Sequence, residues 1–417
     1  MAIISRCIRW AIPLLVALGV VSSLHAAGEN WPRFRGDNGL GVVEGVTFPV
    51  QWSADDYLWR RDLPGVGHSS PVIWDGRLFV TSADAQTSDL FVTALDTDTG
   101  QEVWELSFES QPYSINGFNS FASSSPAVDE NHLYVLHASR EQVLLLAISH
   151  DGKEIWRREF PPFEENHGFG VSPMVVDDMV VFACDHRGAS FVIAVDAATG
   201  DTRWRIERQS GKAAYATPCV WQAPDGSQQL VLCSMAEGMV GVDPEDGRVL
   251  WQLPDVFTNR CTNSPLVAEG LIVCSSGAGG NGESMVVVRP GNGSDVPAEV
   301  VHRWTKAMPQ SVTPVAHDGL LFIWHDRGIV SCRDLQSGEQ LWMERIGGTF
   351  YGSPICAGGR LYGMSDVGEV VVLAADREFA ELGRVDLGEP SNATPAVSGD
   401  KMYLRGTKSL ACLPAVR

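Results

Sequence analysis

The sequence of 417 residues predicts an all-β fold, an eight-bladed β-propeller whose blades are four-stranded antiparallel sheets. Three observations favour this fold class. A serine or threonine followed by proline recurs eight times, at intervals of 40 to 55 residues. Each recurrence opens a unit of strand-like runs, and most units end in a turn followed by a tryptophan. The 42 glycines and 23 prolines supply the many turns that such a chain needs.

The first two strands of each unit follow the proline. The runs "PVIWDGRLFVTS", from Pro71, and "PVAHDGLLFIWHD", from Pro314, both read as strand, tight turn and strand. Glycine stands in each turn, where a positive φ is needed. The eight pairs that open the units are Ser70-Pro71, Ser125-Pro126, Ser172-Pro173, Thr217-Pro218, Ser264-Pro265, Thr313-Pro314, Ser353-Pro354 and Thr394-Pro395.

The third and fourth strands flank the run "ALDTDTGQEVW", residues 94–104, and its partial copies. Aspartate and glycine stand where a hairpin turn needs them, and the tryptophan falls on the fourth strand. The tryptophans at this repeat position are Trp59, Trp104, Trp156, Trp204, Trp251, Trp304 and Trp342. A shared position predicts a shared structural role, in which the indole packs on the neighbouring blade and its N–H finds a backbone carbonyl.

The two ends of the chain are expected to meet in one blade. The last unit, from Pro395, supplies three strands, and "YLWRRDL" around Trp59 supplies an outer strand with no unit of its own before it. The N-terminal strand would therefore close the ring. The domain organisation predicted is a signal peptide at 1–26, an N-terminal extension at 27–51 and the propeller at 52–417.

The first residues are typical of an export signal. Arg6 and Arg9 precede an apolar run at 10–21, and small residues follow around Ala26. A dozen apolar residues are fewer than the roughly 20 needed to cross a bilayer, so no permanent membrane anchor is expected. Cys7 lies before the apolar run, which argues against a lipid anchor. We expect a periplasmic or extracellular protein.

Charge and cysteine content exclude several classes of function. The formal charge is −20, with no basic run that could neutralise phosphates, so nucleic acid is not an expected partner. No C-x-x-C pair occurs, which argues against a thiol-redox centre or a structural zinc site. Cys219 with Cys233, or Cys261 with Cys274, could pair across hairpins; alternatively, all eight cysteines after the signal are small buried apolar residues.

The turn and tryptophan pattern resembles a known family. Ala94-Asp96-Thr99-Gly100-Trp104 matches the motif A-x-D-x-x-[TS]-G-x-x-x-W of the PQQ-like repeat propellers, and the copy from Ala194 to Trp204 matches it too. That family includes quinoprotein alcohol dehydrogenases and the outer-membrane assembly propeller BamB. The resemblance covers about residues 52–417, and "WPRFRGDNGLG" from Trp31 is similar to the opening of many secreted members. WD40 propellers fit less well, because no aspartate follows these tryptophans.

Propeller geometry predicts where a ligand would bind. The loops that lead into the Ser/Thr-Pro strands share one face, so the residues three before each proline should ring the mouth of the central channel. These residues are His68, Ser123, Gly170, Tyr215, Thr262, Ser311, Tyr351 and Asn392. The nearby residues His167, Arg260, Gln310, Asn116 and Asn119 are expected at the same mouth. Such a mixture of aromatic and polar groups suits a small ligand or a peptide segment; alternatively, it lines a water-filled channel.

Catalytic signals are weak. "GAGGNG" at 277–282 fits a phosphate-loop pattern, but a strand and not a helix follows it. "DHRG" from Asp185 and "HDRG" from His325 could supply acid–base groups, although turn chemistry explains both better. Quinoprotein dehydrogenases, as the resemblance implies, carry adjacent disulfide-bonded cysteines and a calcium site, and no matching residues occur here. We therefore expect no metal and no cofactor, with PQQ unsupported by specific residues.

Two functions follow from these observations. The first is a non-enzymatic scaffold of the cell envelope that binds a protein or a small ligand. The alternative is a divergent PQQ-dependent oxidoreductase that acts on alcohols or sugars.

Overall fold

Eight four-stranded antiparallel sheets, arranged as the blades of a propeller, make up most of the chain and confirm the predicted fold class. The structure is a computed structural model that describes residues 28–292 and 296–416. The predicted signal peptide lies outside the described residues. In the described part of the chain, helical structure is limited to two 3-10 turns, Asp37–Gly39 and Ala54–Asp56. No helix there has the length and apolar character needed to cross a membrane.

Two short strands precede the first complete blade, β1 (Val42–Val43) and β2 (Trp59–Asp62). Blade 1 consists of β3 (Val72–Trp74), β4 (Arg77–Ala83), β5 (Leu90–Asp96) and β6 (Glu102–Phe108). Blade 2 consists of β7 (Ala127–Val128), β8 (His132–Ala138), β9 (Val143–Ser149) and β10 (Glu154–Phe160). Blade 3 consists of β11 (Met174–Val176), β12 (Met179–Cys184), β13 (Ser190–Asp196) and β14 (Thr202–Arg208). Blade 4 consists of β15 (Cys219–Gln222), β16 (Gln228–Ser234), β17 (Gly238–Val242) and β18 (Val249–Leu253).

Blade 5 consists of β19 (Leu266–Ala268), β20 (Leu271–Ala278), β21 (Asn281–Arg289) and β22 (Glu299–Trp304). Blade 6 consists of β23 (Val315–His317), β24 (Leu320–His325), β25 (Ile329–Asp334) and β26 (Gln340–Arg345). Blade 7 consists of β27 (Ile355–Ala357), β28 (Arg360–Met364), β29 (Glu369–Ala374) and β30 (Glu381–Asp386). Blade 8 combines the last three strands, β31 (Ala396–Ser398), β32 (Lys401–Arg405) and β33 (Ser409–Pro414), with β2.

The ring is closed by the N-terminal strand, as predicted. Strand β2 pairs with β33 in antiparallel register, and Trp59 lies opposite Cys412. Because the first and last strands of the propeller share one sheet, the ring has no open seam between blades 8 and 1.

The serine and threonine residues of the Ser/Thr-Pro pairs form a belt of hydrogen bonds around the channel, which we call the hydroxyl belt. In each link the hydroxyl oxygen of one blade accepts the backbone N–H of the equivalent residue in the preceding blade. The seven links are Ser70 to Ser125 (2.8 Å), Ser125 to Ser172 (3.0 Å), Thr217 to Ser264 (3.1 Å), Ser264 to Thr313 (3.0 Å), Thr313 to Ser353 (3.0 Å), Ser353 to Thr394 (2.9 Å) and Thr394 to Ser70 (3.0 Å). The belt explains why each pair opens with a small hydroxyl residue.

Tryptophans on the outer strands dock on the turn of the next blade. Their indole N–H groups donate to main-chain carbonyls in five cases, at 2.7 to 3.1 Å: Trp59 to Thr97, Trp104 to His150, Trp156 to Ala197, Trp204 to Pro244 and Trp342 to Asp376. The motif glycine makes room for the ring, because a Cβ on Gly100 would lie 2.5 Å from the indole of Trp59. Gly100 also has a φ of 66°, which the turn requires. The same glycine therefore shapes the turn and leaves the space for the indole, which we call the docking slot.

Two of the seven tryptophans are placed differently. Trp251 donates to the side-chain oxygen of Gln229 in its own blade, at 2.6 Å. In blade 5 the docking slot is filled by His302, whose Nε2 lies 3.0 Å from the carbonyl oxygen of Gln336. Trp304 stacks on His302 instead, with ring centroids 5.5 Å apart. His302 pairs with Val287, the register at which the docking tryptophans of other blades stand, so Trp304 is two residues beyond the slot.

The seventh unit has no tryptophan, and the N-terminal segment occupies the corresponding place. Gly383 stands at the tryptophan register, opposite Val372. A Cβ on Gly383 would overlap the carbonyl oxygen of Val50. The chain at 48–52 therefore replaces an indole at this position, and the bare glycine is required for it to pass.

The segment at 31–43, which we call the floor segment, crosses one end of the channel. It contains the run "WPRFRGDNGLG" and touches blades on every side of the ring. Trp31 exchanges main-chain bonds with Ile73 of blade 1 at 2.8 and 2.9 Å. On the far side, β1 runs parallel to β27 of blade 7, with Val42 opposite Cys356. The channel is thereby closed at this end.

Two buried arginines hold the floor segment in place. Arg35 is fully buried and donates to the carbonyl oxygens of Thr313 (3.3 Å), Pro314 (2.8 Å) and Pro354 (2.7 Å) in blades 6 and 7. Arg33 donates to the carbonyl oxygen of Pro218 in blade 4 at 2.7 Å. Burial lowers the pKa of Arg35 to about 9 and that of Arg33 to about 10. Both remain cations at neutral pH, and the carbonyl dipoles replace the lost water.

The cysteines are buried and unbridged in the structure. All eight described cysteines, Cys184, Cys219, Cys233, Cys261, Cys274, Cys332, Cys356 and Cys412, are free thiols. Four of them belong to one apolar cluster between blades 4 and 5, together with residues such as Val231 and Ile272. The cross-hairpin disulfides considered from the sequence are not formed.

Candidate functional site

The open end of the channel is a cup with a volume of about 680 Å³. All eight residues three positions before the repeat prolines line it, as do His167, Arg260, Gln310, Asn116 and Asn119. The hydroxyl belt lies below them, and Phe34 of the floor segment lines the cup as well. The channel is therefore a cup with a closed floor.

His68 is held neutral at the wall between blades 8 and 1. Burial lowers its pKa to about 4, and the charge of the nearby Arg405 contributes to the shift. Arg405 is fully buried, donates to the carbonyl oxygen of Ser69 at 2.6 Å and reaches Ser82 Oγ at 3.3 Å. His68 can therefore offer a ligand hydrogen bonds but no charge at neutral pH.

A connected group of side chains forms the wall at blades 3 to 5. The carboxylate of Glu165 is buried, and its Oε1 lies 2.9 Å from His167 Nδ1 and 3.6 Å from Arg187. Burial would raise the pKa of Glu165, but hydrogen bonds from His167 and two backbone amides bring it below its ordinary value. Arg260 Nη1 lies 3.1 Å from the same His167 Nδ1. Tyr215 lines the cup beside this group, and its hydroxyl has no hydrogen-bond partner among the described residues.

Asp326 is the carboxylate that lines the cup, and main-chain amides occupy it. Its two oxygens accept the backbone N–H of Gln310 at 2.6 Å and of Ser311 at 2.9 Å. The side chain is buried and therefore shapes the loop that leads into blade 6. Each carboxylate oxygen thus accepts one main-chain amide, which assigns the side chain a structural role in this loop.

The runs "HDRG" and "DHRG", which the sequence offered as sources of acid–base groups, form turns. In "HDRG", His325 Nδ1 accepts the backbone N–H of Arg327 at 2.9 Å. In "DHRG", His186 Nδ1 accepts the N–H of Gly188 at 3.1 Å, and Asp185 lies in a buried ion pair with Arg208 at 3.2 Å. Burial raises the pKa of Asp185, and the charge of Arg208 opposes this shift by favouring the ionised carboxylate.

The glycine-rich run at 277–282 is the tip of a long hairpin between β20 and β21. Gly279 and Gly280 both have positive φ angles and line the cup. The N–H of Gly280 donates to Gln310 Oε1 at 2.6 Å. The run therefore positions a cup residue, and a strand follows it, which gives it no helix N-terminus to hold a phosphate.

A long loop between blades 1 and 2, residues 109–124, reaches over the rim of the cup. Asn119 Nδ2 donates to the carbonyl oxygen of His167 in the loop before blade 3, at 2.8 Å. Phe118 packs on Tyr351 of blade 7 with ring centroids 5.5 Å apart, although 65% of its surface is exposed. The loop narrows the opening and brings an aromatic group to it.

Sequence reasoning missed several cup residues. Arg327 follows β24 directly, and its place in the turn between a second and a third strand could have assigned it to this face. Phe118 lies in the long loop and had no positional signal beyond it. Phe34 reaches the cup only because the floor segment folds across the ring, and no local pattern indicates this.

The residues of the cup do not fit a calcium-bound quinone of the kind that the resemblance implies. Across residues 28–292 and 296–416, no group of three or more histidine, cysteine or acidic side chains could hold a metal ion. No cysteine lines the cup, and its one carboxylate, on Asp326, is occupied by main-chain amides. The donor set is instead one of hydroxyls, amides, aromatic rings and guanidinium groups.

An eight-bladed ring with docking tryptophans and a closed cup defines a protein of the PQQ-like repeat propeller class. Within that class, the family model described as outer membrane protein assembly factor BamB matches residues 88–344. The chain belongs to this family.

Individual relatives are distant. The outer membrane protein assembly factor BamB of Yersinia pestis is 22% identical over 326 residues, which cover 76% of this chain and 68% of the relative. The quinohemoprotein alcohol dehydrogenase of Comamonas testosteroni has a TM-score of 0.67 at 15% identity, over 92% of this chain and 80% of that one. BamB of Moraxella catarrhalis has a TM-score of 0.62 at 12% identity, over 85% and 96% of the two chains. At these identities, the two structures share the fold alone with this chain.

Proposed function

We propose that this protein is a non-enzymatic scaffold of the cell envelope, and that its cup binds a small ligand or a segment of a partner protein. One observation carries this proposal. The cup has a closed floor and a volume of about 680 Å³, and its rim is lined by residues that differ from blade to blade. A volume of this size matches known ligand sites, and non-repeating side chains on a repeating frame are what specific recognition requires.

The proposed location rests on likeness and on the sequence. The relative from Yersinia pestis is named as an outer membrane protein assembly factor, which supports the envelope and a protein partner for this chain as well. The signal pattern in the first 26 residues supports export to the periplasm or the exterior. The strongly acidic composition supports the view that nucleic acid is not a partner.

Binding is favoured over catalysis because the titratable groups at the cup are already engaged. Asp326 accepts two backbone amides, and Glu165 bonds to His167 and to main-chain amides. His68 is neutral and has a pKa far below neutral pH. A general acid or base needs a pKa near the working pH and a free atom to transfer the proton. We therefore propose a protein without a cofactor.

The oxidoreductase alternative has its own test. Purified protein would be mixed with PQQ and calcium, and dye reduction would be followed with alcohols and sugars as substrates. The expected result is no spectral change and no dye reduction. Turnover that depends on added PQQ would instead favour the enzyme.

The binding proposal is tested by a triple variant of the cup. His68→Ala, Tyr215→Ala and Tyr351→Ala would be combined, and the protein would be compared with wild type for molecules retained from envelope extract, identified by mass spectrometry. A control triple variant, Val103→Ser, Ile155→Ser and Val249→Ser, changes exposed residues on the outer strands of three blades. The proposal expects a molecule retained by wild type and the control but lost from the cup variant. Equal retention by all three proteins would contradict it.

A further inference from the structure

The cup of this acidic protein is basic. Its charged lining consists of Arg260, Arg327 and Asp326, in a chain whose formal charge is −20. Asp326 is buried and accepts two backbone amides, and the two guanidinium groups outnumber this one carboxylate at the cup. Because most of the surrounding protein carries the opposite charge, this local reversal marks the cup as a place for an anion.

Arg260 has no anionic partner in the part of the chain that the structure describes. Among the described residues its guanidinium forms no ion pair with a carboxylate, and its buried Nε has no hydrogen-bond partner. Its nearest polar contact, His167 Nδ1 at 3.1 Å, is also 2.9 Å from the Glu165 carboxylate. When Nδ1 carries a proton and donates it to Glu165, it has no lone pair to accept from Arg260. The Nη1 group of Arg260 is then available to a ligand.

Neighbouring hydroxyls add uncharged donors. Tyr215 OH and Thr262 Oγ1 are buried atoms at the cup that have no hydrogen-bond partner in the described structure. Burial and the Glu165 charge raise the pKa of Tyr215, so its hydroxyl keeps its proton. A carboxylate has two oxygens with about four acceptor positions, and it needs several donors together. The wall at blades 4 and 5 offers a guanidinium and two hydroxyls within one cavity.

Another part of the cup rim is aromatic. Phe118 and Tyr351 pack together at the loop into blade 7, two blades along the ring from the loop into blade 5 that carries Arg260. Phe118 is 65% exposed, and it is held at the rim by the loop that also contacts His167. Two packed rings in the lining of one cavity offer a ligand an apolar contact surface.

We propose that the cup binds a carboxylate-bearing ligand with a flat apolar body. The carboxylate lies on the Arg260 side and the apolar body lies against Phe118 and Tyr351. This inference rests on the proposed function and names the class of ligand. The chemistry is shared by two sources, a free aromatic or other planar organic acid and the C-terminal carboxylate of a protein chain that ends in an aromatic residue.

The experiment compares matched probes by isothermal titration calorimetry with the full chain. The small probes are 3-phenylpropionate and its neutral analogue 3-phenyl-1-propanol. The peptide probes are a short peptide ending in phenylalanine with a free carboxylate and the same peptide as the amide. We expect the acid of one pair to bind at least about tenfold more tightly than its neutral partner, the size of effect that a charge-assisted bond supplies. Which pair shows the effect identifies the source.

Two variants separate the charged and the apolar contacts. Arg260→Gln keeps a polar side chain and is expected to weaken the acid about tenfold or more while leaving the neutral probe unchanged. Phe118→Ala removes an exposed ring and is expected to weaken both probes of a pair alike. Arg61→Gln, a half-exposed arginine on β2 that pairs with Glu102, serves as the matched control and should bind as wild type does.

Three results would overturn the inference: no binding of either acid at millimolar concentration, equal binding of acid and neutral probes, or unchanged acid binding by Arg260→Gln. These outcomes remain distinct from failure of the proposed function. If a molecule from envelope extract is retained by wild type and lost from the cup triple variant, the cup binds a ligand, and only the ligand class named here is wrong.

Discussion

An arginine stands at each end of the channel, and the two arginines have different surroundings. At the floor, Arg35 donates to carbonyl oxygens of blades 6 and 7 and of its own segment, so its guanidinium is saturated. At the mouth, Arg260 is partly buried and has no carboxylate or carbonyl acceptor among the described residues. Three of the carbonyls that Arg35 meets belong to the Ser/Thr-Pro repeat, whereas the groups around Arg260 occur once. The repeated parts of this molecule build the ring, and the unrepeated parts are left for recognition.

We expect the repeated residues to carry the stability of the ring and the residues at the mouth of the cup to carry binding. Substitutions in both regions test this expectation. The docking tryptophans are expected to give the largest effect. Trp204 is buried and bonds to the carbonyl oxygen of Pro244 in the next blade. Trp204→Ala should lower the free energy of unfolding by about 3–5 kcal/mol because it leaves a cavity between two blades. Urea unfolding measures the loss.

Trp304→Ala is the control for that experiment. His302 fills the docking slot in blade 5, and Trp304 is only partly buried, between His302 and Arg333, so this variant should lose clearly less stability than Trp204→Ala. Equal losses from the two variants would show that the register of blade 5 has been misassigned. An unchanged unfolding curve for Trp204→Ala would contradict the docking role.

The floor should give the next largest effect. Arg35→Met keeps much of the side-chain volume but leaves buried carbonyl oxygens of Thr313, Pro314 and Pro354 without their donor. The expected cost is about 2–4 kcal/mol, measured by thermal and urea unfolding. Arg61→Met, on the exposed outer strand of blade 8, should stay within about 0.5 kcal/mol of wild type. Similar stability of both variants would mean that the floor is not part of the ring.

His68 should make stability depend on pH at the mouth. Burial and the Arg405 charge lower its pKa to about 4 in the folded protein, whereas the unfolded chain takes up this proton near the ordinary value of 6.5. Stability is therefore lost as the pH falls from about 6.5 to about 4. In His68→Gln the loss over this range should be smaller by about 3 kcal/mol, since one pKa unit corresponds to about 1.4 kcal/mol.

Unfolding curves recorded at several pH values measure this slope. His137, whose pKa burial also lowers to about 4, keeps part of the dependence in the variant. Parallel pH profiles for wild type and His68→Gln would contradict the buried, neutral state of His68.

The smallest effect on stability is expected at Arg260. Because its guanidinium has no anionic partner in the described structure, Arg260→Gln should change the free energy of unfolding by less than about 0.5 kcal/mol. The contrast with Arg35→Met, measured in the same urea titration, compares a saturated arginine with an unsaturated one. A loss as large as that of Arg35→Met would show that Arg260 is structural.

Much of the fold could be predicted from the sequence because the same pattern of a Ser/Thr-Pro pair followed by strand-like runs occurs eight times. The Ser/Thr-Pro pairs fix the inner strands, and the alternation of strand direction assigns Tyr215 and Tyr351 to the mouth without any knowledge of their contacts. The replacement of Trp304 by His302 could not be read in this way, since a two-residue offset within a strand preserves the facing of both side chains.

The position of the floor segment across the channel could not be predicted from the sequence either. Arg33 and Arg35 bond to main-chain carbonyls that are up to 319 residues away, and a carbonyl has no sequence identity to recognise. The lining residue Phe34 follows from that placement. The hydroxyl belt could be predicted in part. Its residues were recognisable as a repeat, but their hydrogen bonds were not.

The floor segment also has a consequence for the order of folding. Arg35 leaves the ribosome long before its acceptors Thr313 and Pro354, which lie 278 and 319 residues further along the chain. Trp31 can pair with Ile73 of blade 1 early, but Arg35 cannot complete its hydrogen bonds until six blades have been synthesised. Contacts of such sequence separation are slow to form, and they depend on the growing chain staying unaggregated in the meantime. The closed cup forms only when the propeller is nearly complete, so an incomplete ring lacks the binding site.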